Sequence, residues 1–222
     1  MMKNELVIVY KPKSNISEEI RTIKTNIQFI STDESIQTLL ITSSIPGEGK
    51  SFISSNLACA FAQNDERVLL IDCDLRLGRV HKIFGLSNER GLSNLLVSKD
   101  LNCKSYLQRT EVNNLYVLPR GTVVPNPSEL LNSEKMKSLI EFLKQNFDRV
   151  IFDGVPINGL PDSLIMATLA DRVILVTSCN YTKIDELTKA KKALETVGAS
   201  IAGVVVNRTS KPKKNKYNSY YE

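Results

Sequence analysis

The sequence predicts an α/β fold: a doubly wound, mostly parallel sheet with helices on both faces. Three observations predict it. Short apolar runs alternate with helix-like stretches along almost the whole chain, and that alternation is the pattern of βαβ units. Two of the runs, Arg67 to Asp72 and Arg149 to Asp153, are continuously apolar and close on a carboxylate, as suits parallel strands buried on both faces. A third run, Thr38-Leu39-Leu40-Ile41, leads into Ser43-Ser44-Ile45-Pro46-Gly47-Glu48-Gly49-Lys50-Ser51. Strand, glycine-containing loop ending in Gly-Lys-Ser, then helix is the phosphate-binding P-loop arrangement, which makes the expected fold P-loop NTPase-like.

Each element has its own signal. Residues 1–15 read as an extended lead-in, with Leu6-Val7-Ile8-Val9-Tyr10 at its centre. Ser17 is a candidate N-cap for a helix over 17–30, with Glu18 and Glu19 in its first turn. Ile20, Ile23, Ile27 and Ile30 recur at three- and four-residue steps and form one packed stripe. Strand 38–42, the loop and a helix over 52–63 follow. Between 73 and 112 the chain reads as loops with short helices at 81–84 and 92–97. Leu115 to Leu118 is a short strand. Asn126-Pro127-Ser128-Glu129 has the form of a helix start, with Asn126 as cap, Pro127 in first position and Glu129 reaching back. A helix over 134–145 precedes strand 149–153. Two last strands, 171–176 and 201–207, are separated by a helical stretch over 183–197. Nothing marks a second domain or a repeat, so residues 1–208 form one domain. Residues 209–222 are polar and basic and are expected to be a flexible tail.

The loop chemistry is direct. Loop N–H groups and the helix N-terminus converge on one place and favour negative charge there. Pro46, Gly47, Glu48, Gly49, Lys50, Ser51 and Phe52 are the candidate nucleotide-binding stretch. Lys50 supplies a mobile positive charge for the terminal phosphates, and the Ser51 hydroxyl can bind Mg²⁺. The first glycine of the full pattern would fall at Ser44. Ligands of such sheets bind at the carboxyl ends of the strands, where Asp72 and Asp74 close one strand and Asp153 another. Mg²⁺ demands oxygen ligands, or waters held by them, so Asp72 and Asp153 join Ser51 as candidate metal ligands. Arg76 either pairs with one of these carboxylates or touches substrate. His81 reads as structural.

Composition bounds the rest. The 222 residues carry 42% hydrophobic and 24% charged side chains, an ordinary globular balance. The net charge of +5 lies partly in the tail, where Lys211, Lys213, Lys214 and Lys216 cluster. It marks no folded nucleic-acid surface. No apolar run approaches the roughly 20 residues that span a bilayer, and the first residues lack a signal-peptide pattern. Cys59, Cys73, Cys103 and Cys179 show no C-x-x-C spacing. Buried reduced thiols in a cytosolic protein are expected.

These residues resemble the bacterial tyrosine kinases, the cytoplasmic autokinases that regulate capsular and exopolysaccharide synthesis, over nearly the whole chain. The resemblance rests on the Pro-Gly-x-Gly-Lys-Ser loop, on D-x-D-x-R at Asp72, Asp74 and Arg76, and on D-x-x-P at Asp153 and Pro156. It rests equally on Pro125-Asn126-Pro127-Ser128-Glu129-Leu130-Leu131. It implies a kinase that uses ATP and Mg²⁺, with Lys50, Asp72, Asp74 and Asp153 catalytic, Asp72 taking the tyrosine proton and Asn207 reading adenine. It implies self-assembly into a ring through an E-x-x-R-x-x-R helix motif, here Glu18, Arg21 and Lys24. It implies phosphorylation of Tyr217, Tyr220 and Tyr221 in the tail, and a separate membrane-anchored activator that recruits the cytoplasmic chain to the membrane. Departures from the family pattern are Lys24 for the last Arg, Leu77 for a basic residue, Gly78 for Pro and Gly154 for Thr or Ser.

The tail suits a substrate. Twelve extended residues reach about 40 Å at ~3.3 Å each, enough to enter a neighbour's site. Two other readings fit the loop: a partition or positioning P-loop ATPase, and a nucleotide-binding adaptor of a membrane polysaccharide complex. The partition group carries a lysine early in the loop, where this chain has Ile45. Nucleic-acid binding by the basic tail lacks an aromatic stacking surface.

Overall fold

A seven-stranded sheet forms the centre of the molecule in a computed structural model that describes residues 5–30, 36–99 and 103–209. The strands are β1 (Thr38–Ser43), β2 (Val68–Asp72), β3 (Gln108–Arg109), β4 (Leu115–Leu118), β5 (Arg149–Pro156), β6 (Arg172–Ser178) and β7 (Ile201–Asn207). Their order is β3-β4-β2-β5-β1-β6-β7. Every pairing is parallel except β3 with β4 at one edge. The doubly wound expectation is met.

Alternate residues of the central strands feed two cores. Leu39, Ile41, Leu70 and Ile151 face one side, with Ile20 and Ile27 of helix α2 (Asn15–Ile30) and Leu57 and Phe61 of helix α3 (Lys50–Ala62). Leu40, Leu69, Ile71 and Phe152 face the other, with helices α5 (Leu92–Val97), α7 (Glu134–Asn146), α8 (Asp162–Leu169) and α9 (Ile184–Thr196). This two-sided burial is why β1, β2 and β5 read as unbroken apolar runs. Cys59, Cys73 and Cys103 are buried free thiols, and Cys179 is free and half-buried.

Several local expectations are corrected. The lead-in is not all extended: Val7–Tyr10 form a helical turn, α1. Val and Ile there favour a strand, yet Leu6 and Ile8 are fully buried against α3, and tertiary burial outweighs propensity. Helix α2 starts at Asn15, so Ser17 lies inside it. Ser14 does the capping instead, its hydroxyl accepting the Ser17 N–H at 3.2 Å. Asn126 precedes α6 (Pro127–Leu131) without a side-chain cap bond to the backbone. Its amide donates to the Glu129 carboxylate at 3.1 Å. Strand β3 and helix α8 were not anticipated. The helix over 81–84 is α4, which begins one residue earlier at Val80.

Candidate active site

The loop from Ser43 to Ser51 joins β1 to α3, and its shape is set by two left-handed glycines. Gly47 has φ 83° and Gly49 φ 100°, with Gly49 capping α3. Such angles strain any residue bearing a Cβ. At Gly49 a Cβ would also stand 2.2 Å from the Asn207 amide nitrogen. The start of α3 therefore opens onto a cleft of about 490 Å³, lined by Gly47, Gly49, Lys50, Ser51, Phe52 and Asn207. Glu5, Arg79 and Arg208 complete its rim. Glu5 and Arg79 pair at 2.6 Å, a contact that no local sequence pattern links.

Strands β2 and β5 bring two carboxylates side by side, since Asp72 and Asp153 are register partners. Both are buried. Burial, and then the Asp153 charge, push Asp72 well above the usual carboxylate range, against backbone N–H bonds. Burial lifts Asp153 to about 6, while Ser51, Lys50 and Ser54 pull it down. Ser54, one turn into α3, donates to Asp153 at 3.0 Å. Two buried carboxylates held together favour a nearby cation, and Lys50 and the Ser51 hydroxyl are within reach of that arrangement. The donor set therefore fits a phosphate group with a hard divalent metal.

The three acidic positions do not form a single cage. Asp72 accepts the N–H groups of Asp74 at 3.3 Å and Val80 at 3.0 Å. Asp74 turns into its own loop, accepting the N–H groups of Arg76 at 3.2 Å and Leu77 at 2.8 Å. Among the described residues no group of three or more His, Cys, Asp or Glu side chains is placed to hold a metal. A metal here would draw on Ser51, the Asp72–Asp153 pair, phosphate and water. Gly78 covers the Asp72 carboxylate: a Cβ there would lie 2.2 Å from its Oδ1. Its N–H donates to the Asp74 carbonyl at 2.8 Å, which proline could not do. Gly154 has a similar reason, because its Cβ would meet the Ser163 hydroxyl at 2.5 Å.

The Arg76 guanidinium forms its ion pair with neither Asp72 nor Asp74. Its Nε donates to the buried Asp162 at 3.1 Å, and the Ser128 hydroxyl joins the same carboxylate. The Pro125–Leu131 run and the D-x-D-x-R motif thus meet at Asp162, a residue the sequence reading missed. Asn207 donates its amide to the Glu48 carbonyl at 2.9 Å and accepts the Arg208 N–H at 2.8 Å. His81 does not line the cleft; burial, then Arg120 and Lys82, depress its basicity.

The helix motif is split. Glu18 and Arg21 are ion-paired on the exposed face of α2. Lys24 instead lies on the buried stripe with Ile20 and Ile27, where burial lowers its pKa. Tyr217, Tyr220 and Tyr221 lie outside the described residues.

A family model described as an AAA domain matches residues 36–203. Over 219 residues the chain is 40% identical to the tyrosine-protein kinase YwqD of Bacillus subtilis, covering 99% of this chain and 92% of YwqD. The chain belongs to the bacterial tyrosine-protein kinase family. The putative tyrosine-protein kinase CapB of Staphylococcus aureus is 38% identical, over 95% of this chain and 92% of its own. In three dimensions this tyrosine-protein kinase matches the chimerical protein CapA2B2 with a TM-score of 0.90 at 38% identity, over 94% of this chain and 91% of that one. The kinase domain of Escherichia coli ETK matches at 0.87 and 33% identity, over 96% and 84%. The range matched by the family model, 36–203, contains the loop, both acidic strand ends and the Asp162 junction.

Proposed function

We propose that this tyrosine-protein kinase is an ATP- and Mg²⁺-dependent autokinase that phosphorylates Tyr217, Tyr220 and Tyr221 on a neighbouring copy's tail. In that role it regulates capsular or exopolysaccharide synthesis. The observation that carries the reading is the two-glycine anion cradle, headed by Lys50, beside the buried Asp72–Asp153 register pair. Phosphoryl transfer asks mainly for position and charge neutralisation, and these groups offer both.

ATP supplies the phosphoryl group, and Mg²⁺ lowers the repulsion of its oxygens. Lys50 and the N–H groups at the start of α3 bind the phosphates and orient them. Ser51 and the Asp72–Asp153 pair would hold the metal, with Ser54 fixing the Asp153 carboxylate. Asp74 holds the 74–78 turn in shape through its own backbone bonds. A tyrosine hydroxyl with an ordinary pKa near ~10 needs a proton acceptor. Asp72 takes that role, its carboxylate lying buried at the end of β2 beneath Gly78. Asn207, on the cleft wall, contacts the base.

The assembly reading rests on exposed Glu18 and half-buried Arg21, with Lys24 contributing to the protomer's own packing. A separate membrane-anchored activator is the proposed partner, and the chain works with it at the inner face of the membrane. Among the described residues no helix is long and apolar enough to cross a membrane.

The test is an incubation with ATP, Mg²⁺ and an activator fragment. The wild type gives anti-phosphotyrosine signal, Lys50→Met gives none, and the triple Phe variant at 217, 220 and 221 loses most of it while still binding ATP. Signal that survives in Lys50→Met sinks the mechanism.

A further inference from the structure

We infer that Glu48 and Thr182 are positioning residues that brace the P-loop from the turn between β6 and α9, outside the nucleotide cleft itself. Glu48 occupies the variable place between Gly47 and Gly49, yet it has 0% exposure. A loop carboxylate with no need to be buried would sit in water, and a buried one must be given donors. Glu48 has them on both oxygens. Oε2 accepts the Ile45 N–H at 2.7 Å, and Oε1 accepts the Thr182 hydroxyl.

The direction of that hydroxyl is fixed by its other bond. Thr182 Oγ1 accepts the Ser178 N–H at 3.0 Å, which leaves its single proton for Glu48. One more contact joins the same two segments directly, and Asn207 of β7 joins them by a relay. The Tyr181 hydroxyl donates to the Pro46 carbonyl at 3.2 Å. The Asn207 amide donates to the Glu48 carbonyl, and the Asn207 carbonyl accepts the Cys179 N–H at 2.9 Å. The turn that carries Tyr181 and Thr182 is itself constrained, with Asn180 in the left-handed region at φ 56°.

The physical need is plain. Gly47 and Gly49 give the loop its shape, but glycine backbones are free to leave it. Glu48 lies between them and is the one side chain of that trio able to anchor both. Donors aimed at a phosphate are effective when they need no reorganisation on binding. The brace keeps them aimed. Glu48 and Thr182 therefore act on nucleotide affinity and on turnover through the loop, without touching the nucleotide. Its catalytic consequence rests on the kinase reading above; its consequence for binding does not.

The experiment compares wild type, Thr182→Val and Thr182→Ser. It measures affinity for a fluorescent ADP with Mg²⁺, KM and kcat for ATP in tail phosphorylation, and the thermal midpoint. Loss of the one hydroxyl proton leaves Glu48 Oε1 without a donor, so Thr182→Val binds nucleotide about tenfold more weakly and kcat falls as well as KM rising. Thr182→Ser keeps the proton and stays within about twofold of wild type. A residue that serves only the fold lowers the midpoint and leaves the affinity of folded protein unchanged. Wild-type affinity in Thr182→Val, or failure of Ser to restore it, overturns the inference. Where Thr182→Val does not fold, Thr182→Ala is measured in its place, and if neither folds the hydroxyl serves the fold and the inference is overturned. A chain that binds nucleotide as described but makes no phosphotyrosine contradicts the kinase reading and leaves the brace standing.

Discussion

Asp171 holds three groups with one carboxylate. Its Oδ2 accepts the N–H groups of Gln37 at 2.9 Å and Thr38 at 2.8 Å, and Lys144 reaches Oδ1 at 3.0 Å. Burial pushes its pKa up, but the bonds from Thr38, Lys144 and Gln37 outweigh that and hold it below the usual carboxylate range. A depressed carboxylate stabilises the fold above its unfolded-state pKa, and the contribution is lost as pH falls through the folded-state value. Asp171→Asn is therefore expected to cost about 1–3 kcal/mol at neutral pH, with the difference from wild type shrinking in acid. Urea unfolding across a pH series checks it. At the same scale, Gly78→Ala places a Cβ 2.2 Å from Asp72 Oδ1 and 2.5 Å from the Asp74 backbone oxygen. The expected cost is about 1–3 kcal/mol, together with weakened Mg²⁺-nucleotide binding. An unchanged denaturation midpoint speaks against the fit described for that turn.

At the scale of elements, the N-terminal turn α1 is tied to the P-loop helix by one side chain. Asn56 of α3 accepts the Ile8 N–H at 3.2 Å and donates to the Glu5 carbonyl at 2.7 Å. Asn56→Ala removes both bonds while Leu6 and Ile8 keep their apolar seat. A loss of about 1–3 kcal/mol is expected, with faster hydrogen exchange confined to residues 5–11 and the adjoining turn of α3. Protection unchanged there contradicts the tie. These elements also show what a single sequence can reveal. Strands β1, β2 and β5 were legible because burial on both faces leaves an unbroken apolar run. Helix α2 was legible from its isoleucine spacing. Turn α1 was not, because the Val and Ile of Val7–Tyr10 carry β propensity that burial overrides. Helix α8, in Asp-Ser-Leu-Ile-Met-Ala-Thr-Leu, has apolar residues on several faces and shows little helical period. Strand β3 is two residues long, Gln108 and Arg109, and its identity comes only from pairing with β4.

For the whole molecule, the sheet order places the P-loop after the strand that lies between β5 and β6. The loop is thereby flanked by Asp153 on one side and by the β6–α9 turn on the other. The first of these was legible, since a carboxylate at a strand end announces itself beside a phosphate loop. The convergence of Asp72 with Asp153 followed from the parallel register. The Arg76–Asp162–Ser128 junction, the Glu5–Arg79 pair and the Glu48 brace were not legible. Each joins residues far apart in the chain, for which local spacing carries no signal. Lys24 was read as a subunit contact from its motif, and only the packing of α2 reveals its burial. The central claim is transfer from one chain's Lys50 site to another chain's tail. It is tested most directly by mixing Lys50→Met chains, tails intact, with chains whose three tail tyrosines are Phe, in ATP, Mg²⁺ and activator fragment, and reading the tails by mass spectrometry. The account predicts phosphate on Tyr217, Tyr220 or Tyr221 of the Lys50→Met chains, and none when those chains are incubated alone. Unmodified tails in the mixture, or phosphate on the Lys50→Met chains without their partner, would contradict it.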